Sequence, residues 1–246
     1  AVCCLRGGNG MNRIVDRVAL DDFAAHPKPV IGYSDITVLL SALAVRTGVV
    51  TFHGPMARFA LPEFSRRHFD AVLGVAAPAG QLGRIAASPG VLVPERGRIV
   101  PVVAGRASGP LVGGNLTLLQ SLIGTPWLPD LSGAILFLED IDEAFYRLDR
   151  MITQVRNAGL LDGAAAIVLG DFTHCKDDVS TCLALCEGDA LAAALKDPYK
   201  SPRVPLRKSH TYEEGIFHIF SSLARDLGIP LYQGAKVGHG PNFHPL

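Results

Sequence analysis

The segment Pro29-Val-Ile-Gly-Tyr-Ser34-Asp-Ile-Thr-Val-Leu-Leu40 changes its periodicity at a single residue. Residues 29–33 are a short apolar run of the kind that forms a buried strand. From Asp35 the apolar residues recur at helical spacing, with Leu39, Leu40 and Leu43 on one face, and the pattern stops at Gly48. A strand, one serine and an immediate helix are the local plan of a parallel α/β sheet. That plan lifts the serine hydroxyl above the carboxyl edge of the sheet. It also sets it beside the free N–H groups of a helix start, which can hold a developing oxyanion. Gly32 allows a tight approach before the turn. The stretch is half of a G-x-S-x-G elbow, because Ile36 stands where the second glycine would be. A plainer reading makes Ser34 an N-cap whose oxygen accepts an N–H from the first turn.

The same texture extends in both directions. Strand-like runs occupy residues 1–5, 49–53, 134–138, 165–169 and 230–233. Helical patterns occupy residues 116–123, ending at Gly124, and 142–158, ending at Gly159. The second of these carries Phe145, Leu148, Ile152 and Val155 on one face. A last helix is expected over 211–227. It opens with the capping box Thr211-x-x-Glu214, carries a stripe of Ile216, Phe217, Phe220, Leu223 and Leu227, and ends at Gly228. Apolar strands followed by amphipathic helices predict an α/β fold: a Rossmann-like parallel-sheet N-terminal domain and a C-terminal α/β domain with a mixed sheet. Residues 74–112 are rich in Gly, Ala, Pro and Val, with short alternating pieces at 90–94 and 99–103. We therefore expect domains at 1–88 and 105–246, joined by a linker at 89–104. Residues 186–210 are polar and basic and read as an inserted loop, either a solvated excursion or a substrate-contacting lid.

Composition narrows the function. The chain has 246 residues, 48% hydrophobic and 19% charged, with 23 Lys plus Arg against 23 Asp plus Glu. A formal charge of zero lacks the basic field of a nucleic-acid binder. Residues 36–52 are interrupted by Arg46, Thr47 and Gly48, short of the ~20 apolar residues a membrane span needs. Five cysteines, Cys3, Cys4, Cys175, Cys182 and Cys186, argue against a disulfide framework and fit a reducing cytoplasm. Their spacing with His174 matches no common zinc pattern, so no metal is expected. The first residues read as a strand that begins abruptly and without Met, which suggests a piece of a longer protein.

Two further segments carry chemistry. In Ala134-Ile-Leu-Phe-Leu-Glu139-Asp140 an apolar strand ends in two acids. Sites of parallel α/β sheets lie outside the carboxyl ends of strands, where an acid can orient a histidine. Asp140, Asp142 and Glu143 fit the alternative, acids at the start of the following helix, better than Glu139 does. In Gly234-Ala-Lys-Val-Gly-His239-Gly, His239 lies between two glycines after a short apolar strand. Serine, acid and histidine at three sheet-edge loops make a hydrolytic triad worth proposing.

Further motifs stand in order: Arg6-Gly7-Gly8-Asn9-Gly10, Ile31-Gly-Tyr-Ser34-Asp-Ile-Thr37, His53-Gly-Pro-Met56, Gly113-Gly-Asn-Leu116, Gly124-Thr-Pro126, Leu138-Glu-Asp140 and Arg147-x-x-Arg150. Together they resemble the LD-carboxypeptidase family, the muramoyl-tetrapeptide carboxypeptidases and the related microcin-C immunity peptidases. The likeness covers residues 1 to about 172 and resumes at 229–246. It implies a cytoplasmic serine carboxypeptidase of cell-wall recycling that releases terminal D-Ala across an L,D bond. Ser34 would be nucleophile, Glu139 the acid and His239 the base. The N–H groups of Asp35 and Gly8 would form the oxyanion hole, and no cofactor would be needed. Arg6, Asn9 and Asn115 are candidates for touching a muropeptide substrate. A homodimer is left open, and neither nucleic acid nor membrane is an expected partner. The resemblance also implies a strand–helix unit before residue 1 and more strand after Leu246, and Asn9 replaces a common Tyr. The immunity branch would cleave an aminoacyl-nucleotide analogue and would need a stacking aromatic, for which Trp127 and Tyr199 are candidates. An ordinary α/β-hydrolase esterase has the same triad order but is contradicted by Ile36. An inactive, self-associating fragment is the reading from a different class.

Overall fold

In the computed structural model, which describes residues 1–58, 60–74, 99–175 and 212–239, the strands assemble into two sheets. The first contains β1 (Val2–Cys3), β2 (Val30–Gly32) and β3 (Thr51–His53), in that order and all parallel. Helices α1 (Asp21–Ala25) and α2 (Thr37–Thr47) cross between its strands, and α3 (Glu63–Leu73) follows it. The second contains β4 (Val100–Val103), β5 (Leu111–Asn115), β6 (Ile135–Ile141), β7 (Ala166–Thr173) and β8 (Leu231–Gln233). Its order is β4-β8-β7-β6-β5, with only β4 antiparallel. Helices α4 (Leu116–Ser121), α5 (Phe145–Asn157) and α6 (Tyr212–Leu227) belong to this half. The α/β class, with one parallel and one mixed sheet, is the one the sequence predicts.

Each sheet has its own core. Val38, Leu40, Ala42 and Leu43 of α2 pack with Val30, Ile36 and Met56. In the second half Leu136, Leu138, Ile167 and Leu169 of the strands meet Leu148, Ile152 and Val155 of α5 and Ile216, Phe220 and Leu223 of α6. The expected stripes recur in part: Leu148, Ile152 and Val155 of α5 and Ile216, Phe220 and Leu223 of α6 are core, Phe217 is not, and in α2 Val38 and Ala42 are buried where Leu39 is half-buried. The α4 segment ties the two together: Leu116 and Leu119 join the second core, and Leu122, just past the helix, joins the first. No described helix is long and apolar enough to cross a membrane.

The differences from expectation are local and have causes. The short alternating piece at 99–103 forms β4, Val100–Val103, which pairs with β8. Strand β5 escaped notice because its Leu-Val-Gly-Gly-Asn sequence has weak strand propensity. The short α1 and the helix α3 were also not foreseen. Helix α5 starts at Phe145 rather than 142, because Asp142 adopts a left-handed φ of 58° that a helix cannot contain. Strand β6 runs on through Glu139 and Asp140 to Ile141 instead of stopping at Leu138. The pieces at 90–94, the 186–210 loop, Cys182, Cys186, Thr211 of the capping box and Tyr199 lie outside the described residues.

One glycine sets how the second sheet meets α2. Gly114 has φ 145°, and a Cβ there would lie 2.6 Å from Thr37 Cγ2. The next residue donates its N–H to Thr37 Oγ1 over 3.3 Å. Gly114→Ala therefore strains the backbone and pushes on Thr37 together. It is expected to cost roughly 2–4 kcal/mol in urea unfolding. A loss under about 0.5 kcal/mol, the size of an ordinary surface substitution, would mean that the two halves do not need this close approach.

Candidate active site

The candidate site lies where the carboxyl ends of β2, β3 and β6 meet the segment after β8. Ser34 follows β2 directly and has φ 61°, a left-handed conformation uncommon outside glycine. It opens a 3-10 turn, Ser34–Ile36, that runs straight into α2. A serine held this way at a strand-to-helix turn is strained and points outward. The N-cap reading is not met: no side chain caps either the turn or α2. Ile36, in the place of the elbow's second glycine, folds over Gly32, where a Cβ would lie 2.7 Å from Ile36 Cγ2.

The loop after β1 lies against this turn. A Cβ on Gly7 would come within 3.0 Å of Ser34 Cβ and 3.2 Å of its Oγ, so any side chain there would press on the serine. The buried Asp35 carboxylate accepts the Met11 N–H at 3.0 Å, which fastens that loop to the serine turn. Gly8 has φ 152° and is exposed. Arg6 and Asn9 are exposed beside it, and Arg6 Nε donates to the Gly7 carbonyl at 3.1 Å.

A β-bulge brings the histidine in. Between Leu138 and Asp140 the register of β6 on β7 shifts, because β7 holds one extra residue near Gly170 and Asp171. A Cβ on Gly170 would lie 2.4 Å from the Val237 carbonyl oxygen, and the Asp171 N–H donates to that oxygen at 2.7 Å. The chain after β8 is thereby drawn across β7 toward β6. Gly238, at φ 113°, passes directly over Glu139, where a Cβ would be 2.6 Å from Oε2. His239 then turns its Nδ1 to Glu139 Oε2 at 2.8 Å. The edge of its ring meets that of Tyr33, the residue before Ser34, with centroids 4.9 Å apart.

Glu139 is fully buried, and loss of hydration pushes its carboxyl pKa up. The hydrogen bond and positive charge of His239 oppose the rise, Asp140 adds to it, and the Asn115 amide opposes it. On the other side Glu139 Oε1 lies 3.7 Å from Nε2 of the buried His53. His53 is the last residue of β3, wedged between Tyr33 and Phe137. Burial, followed by the charge of His239, pushes its pKa down from 6.5 to about 3. Tyr33 is raised by burial and then by Glu139. In the sequence His53 stands out only within the His53-Gly-Pro-Met56 motif and carries no assigned role, although it ends a strand at the same sheet edge that singles out Glu139.

Two expected residues are bonded into the fold. Asp140 accepts from Thr117 N and Oγ1, Asn115 Nδ2 and Ile141 N, so it secures the start of α4, not of α5. Asn115, expected to touch substrate, is buried and caps α4 by accepting the Leu118 N–H. Asp142 and Glu143 precede α5 without capping it, and Trp127 packs half-buried against the first core. Among the described residues no group of three His, Cys, Asp or Glu converges as metal ligands.

The family model of the LD-carboxypeptidase C-terminal domain matches residues 108–246, and that of the N-terminal domain matches residues 1–54. The chain belongs to the LD-carboxypeptidase family. It is 37% identical to the murein tetrapeptide carboxypeptidase of Pseudomonas aeruginosa, over 98% of this chain and 67% of that one. It is 26% identical to the microcin C7 self-immunity protein of Escherichia coli, over 67% of this chain and 54% of the relative. The crystal structure of the muramoyltetrapeptide carboxypeptidase of Oxalobacter formigenes superposes with a TM-score of 0.67 at 30% identity, covering 100% of this chain and 71% of that one. The chain spans about half the length of other curated carboxypeptidase relatives, 54% and 53% in two cases.

The buried His53 makes stability depend on pH. Folded, it refuses a proton that the unfolded chain takes up below about pH 6.5. The unfolded state thus binds more protons between pH 6.5 and about 3, and stability falls as pH drops through that window. Between pH 6.5 and 5 this group alone is expected to remove about 2 kcal/mol. Urea unfolding at pH 7 and pH 5 should show the parent losing that much more than His53→Gln. Equal losses in both proteins would show that His53 is not held neutral by burial.

Proposed function

We propose that the protein is a serine carboxypeptidase that hydrolyses the L,D peptide bond of a cell-wall tetrapeptide and releases its terminal D-Ala. The observation carrying this reading is the buried Glu139–His239 pair, 2.8 Å apart, with His239 packed on the residue before a strained serine. Glu139 engages Nδ1 of the imidazole, which leaves Nε2 as the atom to receive a proton. In the proposed sequence His239 Nε2 takes the Ser34 proton as Oγ bonds to the scissile carbonyl carbon. The tetrahedral oxyanion lies against the N–H groups of Asp35 and Gly8. His239 then gives the proton to the leaving D-amino acid as the C–N bond breaks. Water, deprotonated by His239, hydrolyses the acyl-serine, and the proton returns to Ser34. Glu139 stabilises the imidazolium in both halves of the cycle.

The Asp35–Met11 bond and the fit of Gly7 on Ser34 support the oxyanion assignment, because they hold the Gly8 loop at the serine. Arg6 and Asn9 are the exposed candidates for the substrate's free carboxylate and its neighbours. The aminoacyl-nucleotide reading is the second choice. It needs an aromatic to stack on the base, and Trp127 is used in the first core.

Release of D-Ala from a muramoyl tetrapeptide tests the proposal. Ser34→Ala and Glu139→Gln should each lower kcat by about 10³–10⁴. Both should keep the parent circular dichroism. Unchanged release by Ser34→Ala would remove the serine from the mechanism. A silent Glu139→Gln beside an inactive, folded Asp140→Asn would move the acid's role one residue on.

A further inference from the structure

Glu139 faces two histidines, and the assigned chemistry uses one of them. We propose that His53 is a positioning residue: an Nε2–H directed at Glu139 Oε1 keeps that carboxylate ionised and turned toward His239. This rests on the reading of Glu139 and His239 as a working pair.

A carboxylate can accept about four hydrogen bonds, and a dry one is costly unless donors replace water. His239 serves Oε2. Oε1 makes no hydrogen bond by strict geometry, and His53 Nε2 stands 3.7 Å from it, with the two side chains 2% and 0% exposed. That separation exceeds a hydrogen bond, yet an N–H dipole aimed at a charge keeps much of its effect where water is excluded. His53 is neutral, so it has one ring proton to place. On Nε2 it attracts the carboxylate. On Nδ1 it leaves a lone pair facing the carboxylate and repels it.

Described residues from several elements face the pair. Glu139 meets His239 from the segment after β8, His53 from β3, the Asn115 amide from β5, Asp140 along β6 and Tyr33 from the turn after β2. His239 meets Glu139, Tyr33 and the field of His53. His53 can be exchanged without touching the Glu139–His239 contact itself. The unprotonated pair carries one negative charge and the protonated pair none. A donor at Oε1 favours the charged form more, so it lowers the pair's affinity for a proton. Its loss raises the pH at which His239 becomes charged.

The test uses the 246-residue chain with ¹⁵N-labelled histidine and reads the ring nitrogens by NMR. In the parent, His53 should carry its proton on Nε2. His53→Leu should raise the His239 titration midpoint by about one pH unit. His53→Gln, whose amide N–H reaches to the same place, should keep the parent midpoint. A proton on Nδ1 of His53 overturns the proposal. So does a Leu variant that titrates with the parent, or Gln and Leu variants that shift alike, which would be a packing effect. Should the Leu variant not fold, the parent tautomer and a midpoint preserved or moved in the Gln variant decide the matter. None of these readings needs substrate, so an inactive protein counts against the proposed hydrolysis and leaves the role of His53 to be judged separately.

Discussion

A carboxylate shut away from water constrains this structure more than any other group. Glu139 sits inside a central strand with no exposed surface. An isolated charge there is prohibitively costly, so the surroundings must supply donors or the group must take up a proton. The groups around it come from distant parts of the chain. His239 bonds to Oε2 after a bulge in β7, His53 at the end of β3 lies 3.7 Å from Oε1, and the Asn115 amide comes from the adjacent strand β5. A second buried acid, Asp140, has both oxygens occupied by backbone and side-chain donors and secures the start of α4. The two neighbours divide the work: one stabilises the fold and the other keeps an imidazole oriented.

Glycines make the convergence possible by letting main chain run where side chains would collide. Gly7 lies on Ser34, Gly114 on Thr37, Gly170 under Val237 and Gly238 on Glu139. At each, main chain bearing no side chain of its own lies directly on a segment far away in the sequence. Ser34 shares a left-handed φ with Asp142 and His174, and at Ser34 it is imposed by a buried strand on one side and a buried helix on the other. Such strain persists because the flanking elements over-determine it.

The two sheets also explain why neither half holds the site alone. The first contributes Ser34, Tyr33 and His53, and the second contributes Glu139 and His239. Their contact is polar and aromatic at its centre, with Tyr33 between the two histidines. It is apolar where Leu116 and Leu119 of α4 join one core and Leu122, just past the helix, joins the other. At this junction Ser34 is half-buried while Glu139 stays dry.

What the sequence determined by itself was periodic or local. Short continuous apolar runs and stripes of period 3.6 placed most strands and the larger helices, because burial is written residue by residue. The serine turn was legible for the same reason, Glu139 as an acid directly after an apolar run, and His239 as an imidazole between two glycines beyond another. Tertiary structure alone decided the rest. Strand β5 has two glycines and depends on its neighbour β6 for its form. The extension of β6 follows from a bulge in β7. Asp140 and Asn115 acquired structural duties from the position of α4, and His53 acquired significance only when a strand from the other sheet brought Glu139 alongside it. Pairing across a hundred residues leaves no trace in local spacing, since it is fixed by which surfaces exclude water together.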